Sequence, residues 1–169
     1  MRHLLAGSAI AGALALSACG DNLSPQQQQR NDERDIAQVE SANRGVAVPI
    51  VPEPILYPDI EKNHLLGTSC SFVATGGGMG AIAMAMGKKG YMKLDGKIVR
   101  FAADSGSAKL PFGAFGRYDG KKHSFELGLA ESSGKQSGAE STTYQGRLTA
   151  RDGFGRVVFD QPGEVQCGG

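Results

Sequence analysis

Tryptophan is absent from the 169 residues, and cysteine and histidine occur three times each. Aromatic residues make up 7% of the chain, so a core has to be built from Phe, Tyr, Met and aliphatic side chains. Net charge is nearly absent too, at +1. A chain this close to neutral has no electrostatic reason, in its overall charge, to seek nucleic acid or an anionic membrane surface. No apolar run reaches the ~20 residues that a lasting membrane-spanning helix needs. What the chain has in excess is glycine, 25 residues without a collagen-like period. That composition favours short strands joined by tight turns.

Met1-Arg2-His3 is a short basic start, and Leu4 to Leu16 is an apolar stretch rich in Ala and Leu. This is the layout of a signal peptide, too short to remain as a transmembrane helix. Leu16-Ser17-Ala18-Cys19 closes the run with small residues directly before the cysteine. The four residues resemble the lipobox of bacterial lipoproteins; the alternative is an ordinary leader with a chance cysteine. The resemblance implies a signal peptide at 1–18 and a lipidated Cys19, normally with an N-acyl (palmitate) chain besides the diacylglyceryl group. Several acyl chains anchor a protein stably. It also implies a periplasm-facing place in the cell envelope. Gly20 in place of the retaining Asp favours the outer membrane over the inner one, and Asp21 weakens that preference.

Residues 19–66 read as a lipidated, mostly disordered tether. Pro25 and Gln26 to Gln29 form a polar patch, and 31–43 has the makings of a short helix, with Asn31 or Asp32 as N-cap and Gly45 as C-cap. Its apolar face is thin. Val48 to Pro58 carries four prolines, which forbid helix and sheet interior and favour extended polyproline II. One reading is a spacer that lifts the domain off the membrane. The other is that the apolar residues between the prolines dock on the domain itself or on a partner.

Residues 67–169 read as an all-β domain, a small antiparallel barrel or sandwich. Asp95-Gly96 is a type I′ hairpin pair. It sets Leu94 against Lys97 and Met92 against Val99, so that Met92, Leu94, Val99 and Phe101 share a core face. Asp119-Gly120 repeats the device, with Phe112, Ala114 and Tyr118 expected on one face with Phe125, Leu127 and Leu129. Asp152 to Gly155 makes a third turn, with Leu148, Ala150, Val157 and Phe159 expected on one side. Glu131 to Ser141 is a polar surface loop. Gly80 to Met86 is open to strand or helix, and the alternation of Ile82, Met84 and Met86 with Ala favours strand. With Cys19 lipidated in an oxidising compartment, Cys70 and Cys167 remain to pair, closing a loop of about 100 residues worth up to ~4.7 kcal/mol. Free thiols or a metal site are the alternatives. His64 and His123 lack ligand spacing to the cysteines, so no metal is expected.

Motifs for catalysis are scarce. Gly76-Gly77-Gly78-Met79-Gly80 lacks the spacing of a phosphate loop, and Lys89 stands where such a loop needs Ser or Thr. Gly78-x-Gly80-x-x-Ala83 matches a relaxed dinucleotide fingerprint without βαβ spacing. No cofactor is expected, and no Gly-x-Ser-x-Gly elbow occurs. Asp95, Asp119 and Asp152 read as turn residues, and Glu126 and Asp160 as strand residues without an evident partner. Arg147, Arg151 and Arg156 fall on one hairpin face, as a solvated outer face or as an anion-binding patch for phosphate, glycan or an acidic partner.

Gly116-Arg117-Tyr118, the Asp119-Gly120 turn, Phe125, and Cys70 with Cys167 together resemble the membrane-bound lysozyme inhibitors of C-type, small periplasmic lipoproteins with an antiparallel β-barrel. Phe115 stands in place of that family's inhibitory Ser, and the run from Phe125 to Cys167 is longer than the family's. The resemblance therefore implies architecture and carries over no inhibitory residue. The expectation is a non-catalytic envelope binding module, held to the membrane by Cys19 and meeting an envelope protein or glycan. An inhibitor of a lytic enzyme and an envelope hydrolase are the alternatives.

Overall fold

A computed structural model of the protein describes residues 23–169. The expected signal peptide and Cys19 lie outside the described residues. The chain divides after Arg44 into two units.

The first unit contributes α1, Pro25–Asn43. It is longer than the helix expected at 31–43, because Ser24 and Gln27 form a capping box. The Gln27 amide donates to the Ser24 hydroxyl, and the Ser24 amide donates to the Gln27 side chain. Pro25 sits at the first turn, where its missing N–H costs nothing. Arg44 closes the helix, and Gly45 follows with positive φ. No residue of α1 is buried.

In the second unit the chain folds from Gly45, not from 67. Nine strands form: β1 Ser69–Ala74, β2 Ala83–Ala85, β3 Lys89–Leu94, β4 Lys97–Ala103, β5 Arg117–Asp119, β6 His123–Leu129, β7 Lys135–Gln136, β8 Ser141–Asp152 and β9 Val157–Gly168. Every pairing is antiparallel. Eight strands close in the order β1-β2-β3-β4-β5-β6-β8-β9, with β9 returning to β1. β7 is a spur on β8, giving the polar 131–141 loop one short paired segment. The architecture is a closed barrel, and Cys70 and Cys167 face each other across β1 and β9 as a disulfide.

The interior is filled by Phe72, Met92, Phe101, Tyr118, Phe125, Leu127, Leu148 and Val165. Tyr118 stacks on Phe125 at 5.0 Å, and Phe101 meets Phe125 edge-on at 5.0 Å. Gly90 makes room for them: a Cβ there would lie 2.6 Å from the Phe125 ring. The β3–β4 register is the expected one, with Asp95 and Gly96 both at positive φ. β2 is a strand, with Ala83 and Ala85 inside and Met84 on the outer face.

Two expected core positions move. Phe112 leaves the strand for a 3-10 turn, Pro111–Gly113, and stays exposed at φ 56. Pro111 cannot donate to a ladder, and Gly113 takes positive φ. In β9 a bulge opposite Ala150 and Arg151 shifts the alternation, so Val158 is buried and Val157 exposed.

Because successive strands run in opposite directions, the turns sort to two ends. At the first, the turn end, Leu110 and Ala114 close over the core, and Tyr118 Oη donates to the Met86 carbonyl at 2.6 Å and accepts from the Phe115 amide at 2.9 Å. At the second, the loop end, the 75–82 connection gathers with the hairpin tips at 95–96, 120–122 and 153–155.

The proline-rich segment crosses this loop end as a strap. The Ile50 amide donates to the Val158 carbonyl, Glu53 bridges to Lys93, and Ile55 bridges to Ala81. Ala47 and Ile50 pack on the barrel core. The strap then enters α2, Tyr57–Asn63, on the outer face of β2 to β4, where Ile55, Leu65 and Met84 form a second buried cluster. The expected mostly disordered tether at 19–66 is therefore helical over Pro25–Asn43 and folded from Gly45 onward. Residues 45–66 are part of the fold, because their apolar side chains cover the outward face of Met84, Tyr91 and Ile98.

Candidate functional site: the loop end of the barrel

Asp59 pins the strap. Its carboxylate accepts the Leu56 amide at 3.0 Å and both oxygens meet Lys93 Nζ, at 2.9 and 3.1 Å. The Leu56 amide and then the Lys93 ammonium hold the Asp59 carboxyl below its ordinary value of 3.8. Glu53 Oε1 accepts the Gly96 amide at 2.7 Å, tying the strap to the β3–β4 tip. Arg156 donates from Nη1 to the Gly45 carbonyl at 2.6 Å, tying the strap's start to the β8–β9 tip. The point where the chain enters the barrel unit therefore lies at the loop end.

His123 sits at the centre of this end. It lines a groove of about 360 Å³ between Val48–Val51 and Leu94–Asp95. It also lines one of about 370 Å³ shared by Lys121, Lys122, Arg151 and Gly153. A third groove of about 420 Å³ runs down the wall beside Lys88, Lys89, Arg100 and Lys121. Among the described residues, Lys88, Lys89, Lys97, Arg100, Lys121 and Lys122 make no ion pair and no side-chain hydrogen bond, and all six are exposed. Apolar side chains stand among them. Val48 is 74%, Val51 82% and Phe154 60% exposed, and Met79 on the β1–β2 connection is 92% exposed.

Arg147, Arg151 and Arg156, the expected anion-binding patch, each have a partner within the fold. Arg147 is bound to Asp160, which also accepts the Thr149 hydroxyl at 2.8 Å. Those two contacts hold the Asp160 carboxyl low, so this strand acid does have partners. Arg156 binds Asp152 at 2.7 Å and lies over the Phe154 ring at 5.1 Å. Arg151 donates to the Gly155 carbonyl at 3.0 Å. Arg147 and Arg151 are used inside their own hairpin, Arg156 there and on the strap's Gly45, and two of the three charges are neutralised. Asp119 likewise binds Arg117 at 3.1 Å.

The other sequence candidates separate. His64 caps α2 in the left-handed region and is exposed, and it lines neither of the grooves that His123 lines. Among the described residues no hydrogen bond joins His123 to an acid or a hydroxyl, and no His, Cys, Asp and Glu cluster is arranged to hold a metal. Gly76 to Gly80 forms the β1–β2 turn, with Gly76 and Gly80 at positive φ. Among the described residues no helix is long and apolar enough to cross a membrane. Sequence reasoning missed Lys97, Lys121, Lys122, Val48 and Phe154 as a group. Their signal was present: two lysines inside a turn, and an aromatic between two glycines at a hairpin tip, where no core can claim it.

No curated protein and no solved structure matches the chain. A family model described as a domain of unknown function (DUF6692) matches residues 10–140, ending before the β8–β9 hairpin that completes the barrel. That match covers most of the sequence, and the chain belongs to this family.

Proposed function

We propose that the chain is a lipid-anchored protein of the cell envelope, facing the periplasm from the outer membrane, whose barrel is a non-catalytic binding module for an envelope component. The observation that carries this reading is the contrast between a barrel interior occupied by its own side chains and grooves that lie on the outside. A barrel whose interior side chains fill it has no room for a small ligand, so recognition falls to its surface. The Leu16–Cys19 lipobox supports the anchor. The Cys70–Cys167 bond supports an oxidising compartment.

Intact-mass analysis of the native protein tests the anchor: the expected species starts at Cys19 and carries acyl chains. A mature chain starting elsewhere, or one without lipid, contradicts it. Affinity capture from solubilised envelopes with the intact lipidated protein tests the binding role. A partner lost on K121E/K122E substitution and retained on a turn-end substitution is the expected outcome.

A second reading, an inhibitor of a lytic enzyme, is favoured by the closed eight-stranded barrel with its bond to a near-terminal cysteine, the architecture that the lysozyme-inhibitor resemblance implies. Tyr118 of the resembling stretch is fully buried, so it cannot enter an enzyme cleft. A lysozyme-inhibition assay on the full chain decides this reading.

A further inference from the structure

We infer that the loop end is a membrane-docking face, on which exposed apolar side chains and unpaired lysines seat the barrel against an anionic lipid surface; this rests on the lipid anchor proposed above. Three independent observations converge there. The chain enters the barrel unit at Gly45, and Arg156 holds that entry beside the β8–β9 tip. An anchor N-terminal to Gly45 therefore delivers this end to the bilayer first. The reach is limited, since α1 with 19 residues extends no more than ~28 Å and Gly20 to Ser24 add at most ~18 Å.

Charge and apolarity are then arranged as an interfacial surface requires. Val48, Val51 and Met79 project from the strap and the β1–β2 connection, and Phe154 projects from the β8–β9 tip with Arg156 over one face of its ring. An exposed apolar residue of this size on a tip is costly in water and favourable at the headgroup boundary. Lys97, Lys121 and Lys122 ring them without acid partners. Such lysines are drawn to anionic headgroups, and the attraction fades within a Debye length. Three acids at this end are spent internally, Asp152 on Arg156, Asp119 on Arg117 and Glu53 on the Gly96 amide, and Asp95 at the β3–β4 tip stays exposed against Lys97, Lys121 and Lys122. The turn end also exposes Phe112 and carries Lys88, Lys89, Lys109 and Lys135 without ion pairs, but there the exposed acids Glu131 and Glu140 stand among them, likewise without ion pairs, and the chain does not enter the barrel unit at that end. The acyl chains hold the protein to the membrane, and the docking face sets which end of the barrel rests against it. The strap thereby works as a seat, the reverse of a spacer.

Lysine acetylation footprinting of the acylated full chain tests this, read by mass spectrometry in phosphatidylethanolamine/phosphatidylglycerol vesicles and in a neutral detergent. Lys97, Lys121 and Lys122 are expected to label severalfold more slowly on vesicles, while Lys109 and Lys135 at the turn end label equally in both. V48S/F154S is expected to bring the three loop-end lysines back towards the detergent rate. Equal labelling at both ends overturns the inference, as does protection of Lys109 and Lys135 instead. Protection that appears in detergent and rises with protein concentration assigns the face to a second copy of the chain and overturns it as well. Intact mass on the same sample keeps the two claims apart. An unacylated mass removes the anchor and the inference with it, whereas an acylated chain with a uniform footprint removes the inference alone.

Discussion

The two ends of the barrel are built on different terms. At the turn end, the Cys70–Cys167 bond, the Tyr118 hydroxyl and the Leu110–Ala114 closure all point inward. At the loop end Ala47, Ile50, Ala74, Ile82, Leu94 and Val158 also face the core, but the strap and tips carry Val48, Val51, Met79 and Phe154 outward. The loop end therefore holds the fold and also presents apolar side chains to its surroundings. Substitutions should separate along the same line, costing stability where side chains face inward and contact where the loop end turns them outward.

The largest expected effect is at the disulfide. Replacing Cys70 and Cys167 with Ala should lower stability by about 4 kcal/mol, because the bond closes a long loop and joins the first strand to the last. Equilibrium denaturation in urea reads this, and an unchanged midpoint would break the comparison. Leu65→Ala should cost about 3 kcal/mol, since Leu65 is fully buried against Met84 and Ile55. That loss would place the strap among the structural elements. A change under about 0.5 kcal/mol would make it a surface passenger.

Tyr118→Phe should cost about 1–3 kcal/mol by stranding the Met86 carbonyl and the Phe115 amide. Burial raises the Tyr118 hydroxyl above its ordinary value of 10.0, ahead of the opposing Phe115 contact. The stability it lends is therefore complete below pH 10.0 and lost as pH rises past that value. The Phe variant should lack this alkaline loss in a melting series. Asp59→Asn should have a smaller effect, with the opposite pH sign. Its folded carboxyl is held low, so its contribution is present above pH 3.8 and disappears as pH falls further. Protease nicking of 45–66 should rise in that acid window in the native chain and be insensitive to it in the variant. Phe154→Ser should be nearly silent in thermal melts, within about 0.5 kcal/mol, as expected of an exposed tip.

Legibility in the sequence followed the same physical division. The hairpins could be read because period-two alternation and Asp-Gly pairs are local: the Leu94–Lys97 and Met92–Val99 pairings follow from Asp95-Gly96 alone. The β9 bulge could not, because it depends on how β8 twists against its neighbours. The strap was hidden by its composition. Four prolines read as solvated polyproline, and Ile50, Pro52 and Ile55 turn inward at irregular intervals that match neither helix nor strand. The start of α1 was written plainly as Ser24-Pro25-Gln26-Gln27 and was obscured by the glutamine run around it. The loop-end face has no linear signature at all. Its residues come from the strap and four separate turns, and only barrel closure brings them to one end.

The most direct measurement is neutron reflectivity of the acylated protein on a supported phosphatidylethanolamine/phosphatidylglycerol bilayer, at low and then high salt. Protein density continuous with the headgroups is expected, with a water gap opening as salt screens Lys97, Lys121 and Lys122. A hydrated layer between headgroups and barrel already present at low salt would contradict it.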